Sequence, residues 1–297
     1  MSLYIIIAII AYLLFAINGV ADKFLLTKVV RQPAVYAFYI GVGSMMAIFL
    51  APFGMHMLYG IRLYIALTAG FVFTYALYFF YSAIQQTSIS RVLPIEGGLV
   101  PTFTFILAFI TQTEILTSNQ IIATVLLVIG AVLISLKKSD GKWTPKALYN
   151  ATMAAFLFAL SFILTKYTYE QTNFISGLVW TRLGLGIGAL VMLIPQTVRR
   201  DILSAPREAS KHHIFLFYGG HLTGTLGSYL QQYAIAIGSV VIVNAMQGVQ
   251  FVFILLAGVL LSKYFPKILK EEISGLILSQ KILAIVLISF GLIILAI

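Results

Sequence analysis

Glu96 is the one acidic residue that falls well inside a long apolar run of this sequence, and Pro94 and Pro101 bracket it. A charged side chain at the middle of a spanning helix costs about 2.5–3.5 kcal/mol on insertion scales, so it usually faces protein or a water-filled cavity. Each proline also removes a backbone donor and bends a helix. We therefore expect Glu96 to bind a proton, a cation or the amine of a substrate, with a structural ion pair as the alternative.

Arg182 is the basic residue that lies deepest in another apolar run, two residues after Trp180. Its planar fork of donors would bind a carboxylate or a phosphate in two places at once. The alternative is again structural, because a buried arginine also pairs with a buried carboxylate such as Glu96. The two ionisable residues thus predict opposite substrate charges.

A third polar group follows the spacing of a helix: Asn244, Gln247 and Phe251 fall on one face. Amides are costly in lipid unless they are hydrogen-bonded, so this face should point into the protein. This face could line a cavity or join neighbouring helices, and the sequence does not distinguish the two roles. Amides and aromatic rings together suit an amphipathic organic solute. The other side chains expected at such a site are Asn18, Tyr75, Tyr78, Ser161, Trp180, Tyr229 and Gln232.

Membrane-spanning helices must position these residues. The chain of 297 residues is 61% hydrophobic and 9% charged, whereas a soluble domain carries about 25% charged residues. Its apolar runs are long enough to cross a hydrocarbon core of about 30 Å. We predict an all-α integral membrane protein with ten transmembrane helices, multi-pass in the cell (inner or plasma) membrane. The predicted spans are 3–21, 33–51, 63–83, 89–110, 119–136, 147–166, 174–195, 213–235, 239–261 and 280–297.

Composition also excludes several functions. The net charge of +10 resides in short loops between spans, which favours lipid headgroups over nucleic acid as the partner. No phosphate-binding loop, catalytic triad or metalloprotease motif is present, so we expect neither an enzyme nor a cofactor or metal. The first apolar run lacks a basic region and a cleavage site, and we expect it to remain as a span.

The second half of the sequence repeats the first. The run ending at Ala83-Ile84 and the pair Glu96-Gly97 align with Ala234-Ile235 and Gln247-Gly248, and the later spans align around Gly130 and Gly291. Five spans per copy make the second copy enter the membrane from the opposite side, which gives an inverted repeat typical of secondary transporters. We predict repeats over 1–138 and 147–297, joined by a connecting loop over 139–146.

The pattern Phe15-Ala16-Ile17-Asn18 followed by Lys23 resembles the first-helix motif of EamA-type transporters, the ten-helix members of the drug/metabolite transporter superfamily. Glu114, Gln120 and Gly130 resemble the segment that ends each repeat, and Glu272, Gln280 and Gly291 take that place in the second half. Phe15 replaces the family's usual tryptophan. The resemblance implies solute transport, and its motifs identify no substrate.

We therefore expect a secondary transporter that moves an amino acid or drug-like metabolite by efflux. Alternating access through a central cavity between the repeats, with proton coupling, is the expected mechanism. Uptake or exchange of a sugar or phosphorylated metabolite is the alternative, and a membrane scaffold is the alternative outside transport. The partners are the solute and the lipid bilayer, and a monomer and a homodimer both stay open. Most Lys and Arg residues follow odd-numbered spans, which predicts termini outside the cytoplasm, whereas the resemblance implies termini inside.

Overall fold

The computed structural model describes residues 2–25, 32–87, 89–136, 144–208, 211–261 and 275–296, and within them every regular element is a helix. The helices are α1 (Leu3–Leu25), α2 (Pro33–Ser44) with a 3-10 continuation (Met45–Phe53), α3 (Ile61–Gln86), α4 (Ile89–Thr111), α5 (Ser118–Ser135), α6 (Pro145–Gln171), α7 (Phe174–Val191), α8 (Gln196–Glu208), α9 (Lys211–Ile237), α10 (Val240–Ala245), α11 (Gln247–Leu261) and α12 (Gly275–Ala296).

Eight segments of the described chain are long and apolar enough to cross a membrane, and a shorter apolar helix covers Leu3–Gly19. Helix α9 corresponds to the remaining predicted span, and its side chains are described from Leu222 onward. These ten elements coincide with the ten predicted spans. The all-α membrane architecture expected from the composition is confirmed.

Polar residues in the connections determine where several spans begin. Thr117 and Gln120 form a reciprocal capping box at α5: the Gln120 N–H donates to Thr117 Oγ1 (3.3 Å), and the Thr117 N–H donates to Gln120 Oε1 (2.9 Å). Thr144 caps α6 just before Pro145, and Asn173 caps α7. Such side chains satisfy N–H groups that have no partner inside the helix. Polar side chains in short connections therefore cap three of the apolar helices, α5, α6 and α7.

The helices form two compact units, and each unit contains helices from both halves of the sequence. The α3 unit contains α2 with its 3-10 continuation, α3, α4, α6, α7 and α8. The α1 unit contains α1, α5 and α9 to α12. The predicted repeats are a relationship between sequences and do not coincide with these packing units.

Helices related by the predicted repeat pack in the same way in both units. In the α3 unit, α6 packs against α3 and α4. In the α1 unit, α1 packs against α9, α10 and α11. The sequence repeat pairs α1 with α6, α3 with α9, and α4 with the α10–α11 span. Each unit is therefore built on a first helix of one copy and the third and fourth helices of the other copy.

Small residues let α3 and α7 approach closely in the α3 unit. A Cβ atom at Gly70 would overlap the Thr181 carbonyl oxygen, and one at Gly184 would overlap the Leu67 backbone. The Thr74 hydroxyl donates to the Leu185 carbonyl oxygen across the same contact (2.7 Å). Glycines of this kind permit backbone contact between helices in a membrane, where packing rather than water drives association.

The structure differs from the sequence expectation after α7. The predicted spans 174–195 and 213–235 leave residues 196–212 as a connection, but Gln196–Glu208 of this connection forms helix α8. Ile202 of α8 is fully buried, and its carbonyl oxygen accepts a hydrogen bond from the Tyr39 hydroxyl (3.1 Å). A short apolar face that packs on α2 therefore stabilises a helix in a segment whose overall composition is polar.

Candidate functional site

Glu96 is buried in the α3 unit on a continuous helix. Helix α4 runs from Ile89 to Thr111 through both Pro94 and Pro101. Hydroxyl groups one turn away donate to carbonyl oxygens near the second proline, including Thr104 to Val100 (2.7 Å). Glu96 is 3% exposed, and its Oε1 atom has no hydrogen-bond partner among the described residues. The predicted burial of this carboxyl group is confirmed.

Apolar contacts lie on either side of Glu96 along the packing of α4 against α6. Toward the helix start, Val92 packs with Ala83 and Ala151 in a buried cluster. Toward the helix end, the rings of Phe103 and Phe156 meet edge to face, with centroids 5.7 Å apart. A buried carboxylate without a bonding partner is strongly disfavoured in such surroundings. Protonation or a bound cation would remove that cost.

Arg182 lies in α7 of the same unit and is 8% exposed. Its carbonyl oxygen accepts a hydrogen bond from the Ser44 hydroxyl (3.2 Å). Its guanidinium interacts electrostatically with the hydroxyl of Tyr169 on α6, which also hydrogen-bonds the Thr181 side chain. Arg182 therefore lies in a buried polar cluster between α6 and α7 that includes the Tyr169 and Thr181 side chains.

The other expected site residues of the α3 unit have different environments. The Ser161 hydroxyl donates to the Ala69 carbonyl oxygen (2.7 Å), so it joins α6 to α3. Trp180 Nε1 donates to the His56 carbonyl oxygen (3.2 Å) in the segment that follows the 3-10 helix. The Tyr75 ring packs on Phe71, and Tyr78 is partly exposed. Ser161 and Trp180 thus make helix-joining contacts.

The ninth predicted span is interrupted in the α1 unit. Helix α10 ends at Ala245 and α11 begins at Gln247, and Met246 between them forms a single tight turn: its backbone stays right-handed (φ −70°, ψ 0°), and its N–H donates to the Ile242 carbonyl oxygen (3.0 Å). The predicted helical face is therefore divided between two helices, with Asn244 on α10 and Gln247 and Phe251 on α11. Asn244 is 2% exposed and Phe251 is also buried.

A chain of hydrogen bonds from two other helices reaches this interruption. The Tyr12 hydroxyl of α1 donates to the Val243 carbonyl oxygen (2.7 Å), and Gln231 Nε2 of α9 donates to the same hydroxyl (3.2 Å). Tyr12 is 2% exposed. Backbone carbonyl groups at a helix interruption inside a membrane need partners of this kind. Tyr12 is thus a structural residue of the site that the sequence analysis did not identify.

The remaining expected residues of the α1 unit lie on α1 and α9. Gln232 is buried, and Tyr229 is partly exposed. Asn18 lies beside Gly224: a Cβ atom placed on Gly224 would be 3.1 Å from the Asn18 Cγ atom. Gln250 of α11 donates to the Phe15 carbonyl oxygen at 3.5 Å. Amide side chains therefore occur on α1, α9, α10 and α11, around the interrupted span.

Two buried lysines add positive charge that the sequence analysis did not place in the interior. Lys166, the last residue of the predicted span 147–166, is largely buried, and its Nζ lies 3.6 Å from Glu170 Oε1 on the next turn. Lys281 of α12 is buried as well. Its neighbour Gln280 donates to the carbonyl oxygens of Leu133 (2.6 Å) and Leu136 at the end of α5. The side chain of Lys23, the lysine of the first-helix motif, lies outside the described part of the chain.

Comparisons with known proteins agree with this architecture. Residues 2–136 match the model of the EamA-like transporter family. No curated protein matches the chain. A solved crystal structure, described only as that of a protein, is 16% identical and superposes with a TM-score of 0.67 over 99% of this chain and 98% of its own. At this identity the similarity shows the fold alone.

Proposed function

From the match of residues 2–136 to the EamA-like transporter family, we propose that the protein is a secondary transporter that moves a small organic solute by alternating access. It is a multi-pass integral membrane protein of the cell membrane. The observation that carries the proposal is the interruption at Met246, beside the buried amide of Asn244. Interrupted spans are where secondary transporters commonly bind substrate and coupling ions.

The buried carboxyl group of Glu96 supports a substrate with an amino group and a coupled proton. By the sequence repeat, Glu96 corresponds to Gln247, the first residue of α11. The Gln247 amide cannot titrate, so an exchange of a proton for a cation would take place only at Glu96, in the first repeat. In this mechanism a proton on Glu96 is replaced by the ammonium group of an amino acid or drug-like metabolite. Release of the solute on the far side and return of the proton would make the cycle an efflux antiport.

A second candidate is transport of an anionic solute, and it rests on Arg182. The arginine is buried between α6 and α7, beside the Tyr169 and Thr181 side chains. A guanidinium with hydroxyl neighbours suits a carboxylate or a phosphate. In that case the substrate would be a phosphorylated metabolite, such as a sugar phosphate, taken up or exchanged.

The first experiment is a thermal-shift screen of the purified full-length protein with amino acids, purines, sugar phosphates and cationic drugs. A ligand at 100 times its dissociation constant stabilises the folded state by about 2.7 kcal/mol. Each ligand found is then tested for flux in proteoliposomes with and without a pH gradient. Flux of an amine driven by the gradient supports the antiport. Flux of an anion alone would favour the second candidate, and a complete lack of flux across the panel would favour a membrane scaffold.

A further inference from the structure

Helix α8 has one face that holds it against the transmembrane helices. Ile202 is fully buried in a cluster with Val35 of α2 and Leu77 of α3, and Val198, one turn earlier, packs against the same cluster. The Tyr39 hydroxyl bonds the Ile202 carbonyl oxygen. This face fixes the rotation of α8 about its own axis.

That rotation leaves an apolar residue exposed among arginines. Leu203 is 62% exposed. Arg199 and Arg200 precede it by four and three residues, so both flank it on the helix surface, and both are exposed. Asp201 lies about 100° from Ile202 in the opposite direction around the helix and is partly buried. Over its described side chains, 196–204, α8 is therefore basic on the side that carries Leu203 and has Asp201 on the other side.

The neighbours of α8 place it at the end of two spans. It follows α7 after a turn of four residues, and α7 ends at Val191. Its buried face contacts Val35, and its backbone bonds Tyr39, in the first two turns of the span Pro33–Phe53. A helix at the end of two spans, with an arginine on either side of an exposed leucine, resembles amphipathic helices that lie in the membrane interface.

We propose that α8 lies on the membrane surface and binds anionic phospholipid headgroups, with Arg199 and Arg200 on the phosphates and Leu203 in the acyl boundary. Arginine suits this role because its donors form two bonds to one phosphate and its charge is permanent. Anionic lipid attracts basic residues near the surface over about one Debye length. This proposal is independent of the solute that the protein carries.

The test uses the absence of cysteine from the sequence. A single Leu203→Cys change allows one nitroxide label on the full-length protein, which is placed in nanodiscs of phosphatidylcholine with or without phosphatidylglycerol. The measurement is the accessibility of the label to oxygen and to a water-soluble nickel chelate. We expect the label to favour oxygen when phosphatidylglycerol is present, and to shift toward nickel without it. A label at exposed Thr197, on the acidic side of the helix, should favour nickel in both.

The double change Arg199→Gln with Arg200→Gln separates headgroup binding from apolar insertion. Each arginine near an anionic surface contributes about a fivefold factor in binding, so the double variant should lose the response of the label to phosphatidylglycerol. The matched control is Arg62→Gln, which removes an exposed charge at the start of α3. Since α3 and α7 run parallel, with Gly70 at Thr181 and Thr74 at Leu185, this control lies at the end of the unit away from α8.

Two results would overturn the proposal. A label at position 203 that favours nickel in both lipid compositions would show that α8 lies in water. A label that favours oxygen equally in both compositions, and is insensitive to the arginine changes, would show insertion without headgroup recognition. Retention of the wild-type unfolding temperature in detergent by each variant ensures that the label reports on folded protein.

Discussion

Gly130 of α5 and Gly291 of α12 occupy reciprocal positions in one antiparallel contact. A Cβ atom at Gly130 would lie 2.6 Å from Ile288 Cγ1 and 3.1 Å from the Ala284 carbonyl oxygen. A Cβ atom at Gly291 would lie 2.8 Å from Leu127 Cγ and 3.1 Å from the Ala123 carbonyl oxygen. The sequence repeat aligns the two glycines with each other and the two alanines with each other. Each helix therefore makes the same contact with the other.

Gly130→Ala and Gly291→Ala should therefore destabilise the protein by similar amounts. Alanine gains up to about 1 kcal/mol of helix propensity, but overpacking costs about 1–3 kcal/mol, and a backbone oxygen at 3.1 Å cannot rotate away. The expected result is a lower unfolding temperature in detergent for each variant. Gly43→Ala is the control, because nothing lies within 4 Å of its Cβ position. A control that loses as much stability would reject the packing explanation.

Tyr12→Phe should destabilise the interruption between α10 and α11. It removes the donor to the Val243 carbonyl oxygen and the acceptor of Gln231. Hydrogen bonds between helices in membranes contribute about 0.6 kcal/mol on average and up to about 1.7 kcal/mol. We expect a lower unfolding temperature than for Tyr64→Phe, which alters an exposed tyrosine. A double-mutant cycle with Gln231→Leu should give a nonzero coupling energy, and strict additivity would contradict a connected chain.

Glu96→Gln should remove the pH dependence of transport. Glutamine keeps the shape of the protonated carboxyl group but cannot release a proton, so flux should no longer respond to a pH gradient in proteoliposomes. Glu114→Gln removes a carboxylate from the connection before α5 and should retain the response. Unchanged pH dependence in Glu96→Gln would reject the proton role of this residue.

Arg182→Lys distinguishes the two candidate substrate charges. The change keeps a positive charge but loses the planar fork. If the solute is anionic, its dissociation constant in a thermal-shift titration should increase in this variant, whereas the affinity for an amine should not change. Equal affinity for an anionic ligand in both proteins would assign Arg182 to packing between α6 and α7.

Local sequence was a good guide to the spans and a poor guide to helix continuity. Two prolines predicted a distorted α4, yet α4 is continuous. The span that is interrupted contains no proline, and its nearest glycine, Gly248, lies two residues after the interruption. Its turn is stabilised by Tyr12 and Gln231, which come from other helices. A tyrosine in an apolar run has the same sequence signature whether it faces lipid or bonds a distant carbonyl group.

Burial of charge was predictable only where the residue was far from a predicted helix end. Glu96 lies well inside its span, and its burial followed from the cost of exposure to lipid. Lys166 and Lys281 were placed at span boundaries by hydropathy, but α6 continues to Gln171 and α12 begins at Gly275. Helix ends that extend beyond the apolar run bring such lysines into the protein, and hydropathy alone does not report that extension.

The sharing of helices between sequence halves affects the order in which the protein can assemble. Helix α1 packs on α9, and translation at about 5–20 residues per second separates the two by roughly ten to forty seconds. During that interval α1 is in the membrane without the neighbour it has in the finished unit, whereas α6 finds α3 and α4 already made. The α3 unit can therefore form during translation, as soon as α8 has been synthesised. The α1 unit can form only after α9 to α12 have been synthesised.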